Sequence, residues 1–308
     1  VKVPGFLVVG APKAGTSSLY QYLQEHPEIY LPKQKELHYW SSEALSENTL
    51  GPGDQAALPN VVTTWRDYCR RYEAATLEKQ LGDVSPSYLY FYNRVIPELK
   101  RKLPAVKIII ILRDPIERAC SNYLHQQRLT YETLSFTEAL DCEVNRAAEG
   151  YSDFWRYTGH SCYFAACEAY VRAFGLANVH FITFEELRNS PADVMTNVFS
   201  FLGVDETCLP DNLDSAYNSG GRYKASLLMR FFMRPNRLKS YFHGRLSEKS
   251  IQAYRSLKLK FTAVRSLPIP EIPSELRAKL SRIFKDDVEA LSANYNVNVK
   301  LWSRFDDK

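Results

Sequence analysis

Four short apolar runs recur along the chain, each leading through a polar turn into a stretch with helical spacing. Phe6–Val9 reads as a buried strand, and Ser17–Glu25 as the helix that follows it. Gln80–Val84 is a shorter strand ended by Ser85-Pro86, with a helix after it at Asn93–Leu103. Lys107–Leu112 (Lys-Ile-Ile-Ile-Ile-Leu) is apolar on both faces, as a central parallel strand covered by helices above and below must be. It runs into Arg113-Asp114-Pro115, with proline at a helix start, and that helix is expected to continue through Gln126. Val179–Thr183 is the last buried strand, followed by a helix at Pro191–Leu202. Further helices are expected at Thr64–Tyr72, Phe136–Ala148, Tyr163–Phe174 and Ser274–Leu291. Leu31–Tyr39 reads as a polar loop, and residues 41–64 as an irregular Ser/Gly/Asn/Pro-rich excursion. The alternation of strand and helix predicts a three-layer α/β fold around a central parallel sheet, with anionic ligands at the carboxyl ends of the strands.

Composition narrows this picture. The 308 residues are 45% apolar, enough to bury a large core. No apolar run approaches the ~18–20 residues of a membrane span, so no integral membrane segment is expected. The chain begins at Val1 rather than Met. The expected setting is cytoplasmic, with the lumenal catalytic domain of a Golgi enzyme, its anchor removed, as the alternative. Six cysteines without Cys-x-x-Cys or Cys/His spacing argue against zinc and favour buried free thiols. The net charge of +4 is unevenly spread: Gly220–Pro270 holds twelve Lys/Arg and one acid, Glu248. Residues 226–270 show no clear strand and read as helical elements near the ligand edge. The basic stretch 222–265 offers contact to an anionic ligand, and no nucleic-acid partner is expected.

The chemistry gathers at the strand ends. The turn Gly10-Ala-Pro-Lys13-Ala14-Gly15-Thr16-Ser17-Ser18 joins a strand to a helix N-terminus, where free N–H groups and the helix dipole attract a phosphate. A Walker A loop needs Lys directly after its last Gly, whereas Lys13 precedes Gly15 by two. Arg113 lies at the tip of the central strand, and Ser121, two turns into the next helix, reads with it as a phosphate clamp. In Lys35-Glu36-Leu-His38, Glu36 and His38 alternate and face one way on an extended segment, as a general base and its orienting partner would. Gly220-Gly221-Arg222-Tyr-Lys224 lets backbone approach a ligand closely and supplies two cations. These features leave three readings open: transfer from a nucleotide carrying two separate phosphates, a small-molecule or nucleoside kinase, and a non-catalytic module binding anionic glycan or membrane.

Together these segments resemble the sulfotransferases that use 3′-phosphoadenosine 5′-phosphosulfate (PAPS), above all the heparan-sulfate and carbohydrate branch and its bacterial relatives. Gly10–Ser17 resembles that family's phosphosulfate loop, Lys35–Tyr39 its Lys-Glu-x-His-Phe segment, and Asp83-Val-Ser85-Pro-Ser-Tyr88 its acceptor-side Ser-Pro motif. Arg113–Tyr123 is similar to its 3′-phosphate segment, and Phe184-Glu-Glu-Leu and Phe201-Leu-Gly-Val follow in order. The likeness covers about residues 5–225 of what reads as one domain over 1–308, with the segment 226–270 and the terminal helix as additions. Gly-Gly-Arg-Tyr-Lys stands where relatives often carry Lys-Gly-Arg.

The resemblance implies a P-loop-like fold and sulfuryl transfer from PAPS to a hydroxyl or amine of a carbohydrate or small-molecule acceptor, without a metal. It implies Glu36 as base, His38 as its partner and Lys13 at the leaving oxygen. Ala14, Gly15, Thr16, Ser17 and Ser18 would hold the phosphosulfate, and Arg113, Ser121, Gly221, Arg222 and Lys224 the rest of the donor. Lys35, Asp83, Ser85 and Tyr88 would face the acceptor. A carboxyl near its reference pKa of ~4.3 is a poor base, so an elevated Glu36 value is expected unless Lys35 or His38 opposes it.

Overall fold

The buried runs pair side by side in one parallel sheet. In the computed structural model, which describes residues 1–56, 58–211, 213 and 271–302, the strands are β1 (Phe6–Gly10), β2 (Ile29–Tyr30), β3 (Gln80–Val84), β4 (Lys107–Leu112) and β5 (Val179–Thr183). Their order is β2-β3-β1-β4-β5. Leu7 registers with Asp83 on one side and Ile108 on the other, and Ile110 with Phe181. Phe6–Val9 and Ile108–Leu112 are fully buried.

Helices flank the sheet: α1 (Thr16–Glu25), α2 (Ser42–Glu47), α3 (Trp65–Arg70), α4 (Ser87–Tyr90), α5 (Tyr92–Lys102) and α6 (Pro115–Arg128). After them come α7 (Phe136–Asp141), α8 (Glu143–Ala148), α9 (Phe164–Phe174), α10 (Phe184–Asn189), α11 (Pro191–Leu202) and α12 (Ser274–Tyr295). The α/β class, the four predicted strands and most helices agree with the sequence pattern.

Five local differences stand out. The helix expected over Phe136–Ala148 is interrupted at Cys142, and just beyond it the Glu143 carboxylate accepts from Thr158 N–H and Oγ at 2.8 and 2.6 Å. The excursion at 41–64 contains α2 and single 3₁₀ turns. Strand β2 is two residues long, too short to show an alternation. The helix after β4 runs two residues past Gln126, and α12 four past Leu291. All six thiols are free, although only Cys69, Cys120 and Cys167 are buried. The predicted helical elements at 226–270, the basic stretch 222–265 and Gly221, Arg222 and Lys224 lie outside the described residues.

The topology brings three connections to one end of the sheet. Ala11 N–H, after β1, donates to Ile111 O at 2.6 Å. Ser85 N–H, after β3, donates to Val8 O, and Glu36 N–H donates to Val84 O, both at 3.1 Å. Asp114 caps α6 by accepting from Ile116 and Glu117 N–H, with Pro115 in the first turn. Helix α12 packs on α6 and α9. Its Asp287 carboxylate accepts from Tyr163 and Phe164 N–H at the start of α9, at 2.8 and 2.9 Å.

Candidate active site

Lys13 follows β1 in a left-handed backbone conformation (φ 69°). Gly15 is also left-handed (φ 94°), and a Cβ there would meet the Phe184 ring at 2.8 Å, so only glycine fits both the angle and the space. No side chain caps α1 at Gly15, and the first turn of a helix is where backbone N–H groups lack intrahelical partners.

A ring of cations surrounds this turn. The Arg113 guanidinium stacks on Phe184, 4.7 Å from its centroid, and donates through Nη1 to Lys13 O at 3.2 Å. Its Nε is buried without a hydrogen-bond partner, and no carboxylate among the described residues pairs with it. Arg118 is fully buried and donates to Ser161 Oγ, Tyr157 O and Pro12 O. Burial lowers the Arg118 value to about 10. Desolvation first, and then the charges of Arg128 and Arg113, bring Lys13 from 10.5 down to about 7. Arg128 Nη2 bonds His125 Nδ1 at 2.8 Å, while its Nε, like that of Arg113, is buried and unpaired. Desolvation, Lys13 and Arg128 push His125 down to about 3.

Glu36 and His38 also sit at positive φ, 64° and 54°. Lys35 Nζ lies 2.5 Å from Glu36 Oε1, and His38 Nε2 lies 3.7 Å from Glu36 Oε2. Glu36 raises the Lys13 value through its charge, so carboxylate and ammonium share one electrostatic site. For Glu36 the exception to the expected elevation holds. Desolvation acts upward, but His38 and Lys35 outweigh it and hold the carboxyl at about 2. His38 is fixed by a Ser87 Oγ contact at 2.7 Å and by its own N–H donating to Ser85 Oγ at 3.1 Å.

Asp83, Ser85 and Tyr88, expected on the acceptor side, are buried and turned toward one another. Ser85 Oγ donates to Asp83 Oδ1 at 2.7 Å, and Tyr88 and Tyr68 hydroxyls donate to Asp83 Oδ2 at 2.8 and 2.9 Å. Burial raises the Asp83 value despite these bonds. The cluster also anchors the segment that carries Glu36 and His38, through Glu36 N–H on Val84 O and His38 N–H on Ser85 Oγ. Ser121 lies on α6 and makes no hydrogen bond with Arg113. Ser121, His125 and Arg128, spaced i, i+4 and i+7, share one face of that helix. His125 and Arg128 are the residues the sequence reading missed, and the same helical spacing would have found them.

Among the described residues no three His, Cys, Asp or Glu side chains gather as metal ligands would. No helix among them is long and apolar enough to cross a membrane.

Residues 4–207 match the sulfotransferase family. The fold is similar to that of a sulfotransferase from Alicyclobacillus acidocaldarius, with a TM-score of 0.76, 30% identity and coverage of 99% of this chain and 100% of that one. The chain is 29% identical to the human bifunctional heparan sulfate N-deacetylase/N-sulfotransferase 3, covering 66% of this chain and 22% of the relative. It is 27% identical to the Mus musculus heparan sulfate glucosamine 3-O-sulfotransferase 3A1, covering 66% of this chain and 46% of the relative. The chain therefore spans less than half the length of these two curated relatives.

Proposed function

The chain belongs to the sulfotransferase family, and from that premise we propose that it transfers a sulfuryl group from PAPS to a hydroxyl or amine of a carbohydrate or small-molecule acceptor. The observation that carries the donor assignment is Arg113, a half-buried guanidinium kept beside the Lys13 turn, with a buried, unpaired Nε and no carboxylate partner among the described residues. Such a group is costly unless an anion completes it, and a 3′-phosphate is the group that separates PAPS from ATP. Lys13, Ala14, Gly15, Thr16, Ser17 and Ser18 hold the phosphosulfate in this reading, and Arg113 with Ser121 holds the 3′-phosphate. Gly221, Arg222 and Lys224 are proposed to close over the donor.

When bound, the donor supplies the sulfuryl group, which gains a bond from the acceptor atom as its bond to the bridging phosphate oxygen breaks, leaving 3′,5′-adenosine bisphosphate. Glu36 takes the acceptor's proton and His38 orients that carboxylate. Lys13 stabilises the electron pair left on the bridging oxygen. The remaining catalysis is positioning, supplied by the strand ends. A carbohydrate acceptor is supported by the names of the curated relatives, which act on heparan sulfate. The cytoplasmic setting is kept as a proposal that cell fractionation tests.

Glu36→Gln should reduce transfer of labelled sulfur from PAPS by about 100- to 10,000-fold while calorimetric affinity for the bisphosphate is unchanged. Donor affinity lost along with turnover would refute the base assignment.

A further inference from the structure

Lys35 touches both halves of the site. Its Nζ lies 3.1 Å from Ser17 Oγ, in the first turn of α1, and 2.5 Å from Glu36 Oε1. The side chain is only 20% exposed, so it is largely enclosed between these two contacts. The Glu36 backbone is fixed by its N–H bond to Val84 O in a left-handed conformation. Its carboxylate faces Lys35, His38, Lys13 and His125. Of these, Lys13 belongs to the donor loop itself, and Lys35 reaches that loop from outside it through Ser17. A lysine ammonium on four rotatable carbons exchanges one anion for another without backbone movement.

We propose, resting on the donor reading above, that Lys35 couples the donor loop to the base: it holds Glu36 when the donor is absent and is drawn to the donor's anion when it arrives. The contact with Ser17 sets the direction of that move, because it already aims the ammonium at the turn where the phosphosulfate would sit. A phosphosulfate carries more charge than one carboxylate, so it competes successfully for the shared cation. Glu36, relieved of Lys35, binds a proton more tightly and accepts one from the acceptor only once the donor is in place. Lys35 acts here as a positioning residue, in a role different from the acceptor contact that the sequence implied.

The test follows the Glu36 side-chain carboxyl by carbon NMR titration, with and without 3′,5′-adenosine bisphosphate, in wild type, Lys35→Met and Lys35→Arg. Calorimetry measures bisphosphate binding in parallel. Bisphosphate should tighten proton binding at Glu36 by about tenfold or more in wild type and Lys35→Arg. In Lys35→Met, only the ligand's own repulsion remains, and the change should stay under about threefold. Equal changes in wild type and Lys35→Met, with normal bisphosphate binding, would overturn the coupling and leave the donor reading standing. No bisphosphate binding by wild type would overturn both. Lys35→Gln replaces Lys35→Met should the latter fail to fold.

Discussion

Lys13, Glu36 and His38 are non-glycine residues held at φ 69°, 64° and 54°, a conformation that costs such residues about 1–2 kcal/mol. All three belong to the proposed chemistry, where side-chain direction matters most, while Thr130 and Asn296 share the conformation elsewhere. Lys13 carries a second cost, its charge among Arg113, Arg118 and Arg128. In the unfolded chain it returns to 10.5, against about 7 when folded, so between those values the unfolded state binds more protons. Its contribution to stability therefore rises with pH from about 7 toward 10.5. Lys13→Met should melt higher than wild type near neutral pH, with the gap closing as pH rises, and should lose about 10- to 100-fold in bisphosphate affinity. Thermal unfolding over a pH series checks the first outcome and calorimetry the second. Glu36 runs the other way: with its carboxyl held at about 2, its contribution is present above its ordinary 4.5 and lost as pH falls toward 2.

At the scale of elements, the turns after β1 and β4 and the start of α6 make one unit. Asp114 caps α6 through two N–H groups, and its own N–H donates to Glu185 Oε1, whose other oxygen accepts from Trp302 Nε1. Asp114→Ala should cost about 0.5–2 kcal/mol in urea unfolding and weaken bisphosphate binding through misplaced Arg113. The strands were legible because a four-isoleucine run admits one buried solution, and Lys107–Leu112 was read to the residue. The interruption at Cys142 was not, because the apolar period runs through it unchanged, and the contact of Glu143 with Thr158 is one that helical periodicity does not encode. Ending α6 at Gln126 hid Arg128, which lies on the last turn of the same face as Ser121. The motif order located Glu36, but its low value required the distances to Lys35 and His38. Asp83, Ser85 and Tyr88 were recognisable as a group, while their burial emerged only once Tyr68 was seen to share the same carboxylate.

For the whole molecule, the C-terminal helix is a brace for a site built mostly from the first half of the chain. Asp287 holds the start of α9, and the Tyr163 hydroxyl donates from there to Arg113 O at 2.9 Å. Asp287→Ala leaves two N–H groups without their carboxylate and should cost about 1–3 kcal/mol. Chemical denaturation would read that loss, and a several-fold fall in bisphosphate affinity would show that the brace reaches Arg113. The central claim, that the cation ring around Lys13 and Arg113 is a site for a donor with a 3′-phosphate, is tested most directly by thermal unfolding with two nucleotides. 3′,5′-Adenosine bisphosphate at 100 times its dissociation constant should stabilise the protein by about 2.7 kcal/mol, and ATP with Mg²⁺ at the same concentration should do far less. Stabilisation by ATP with Mg²⁺ and none by the bisphosphate would contradict the account.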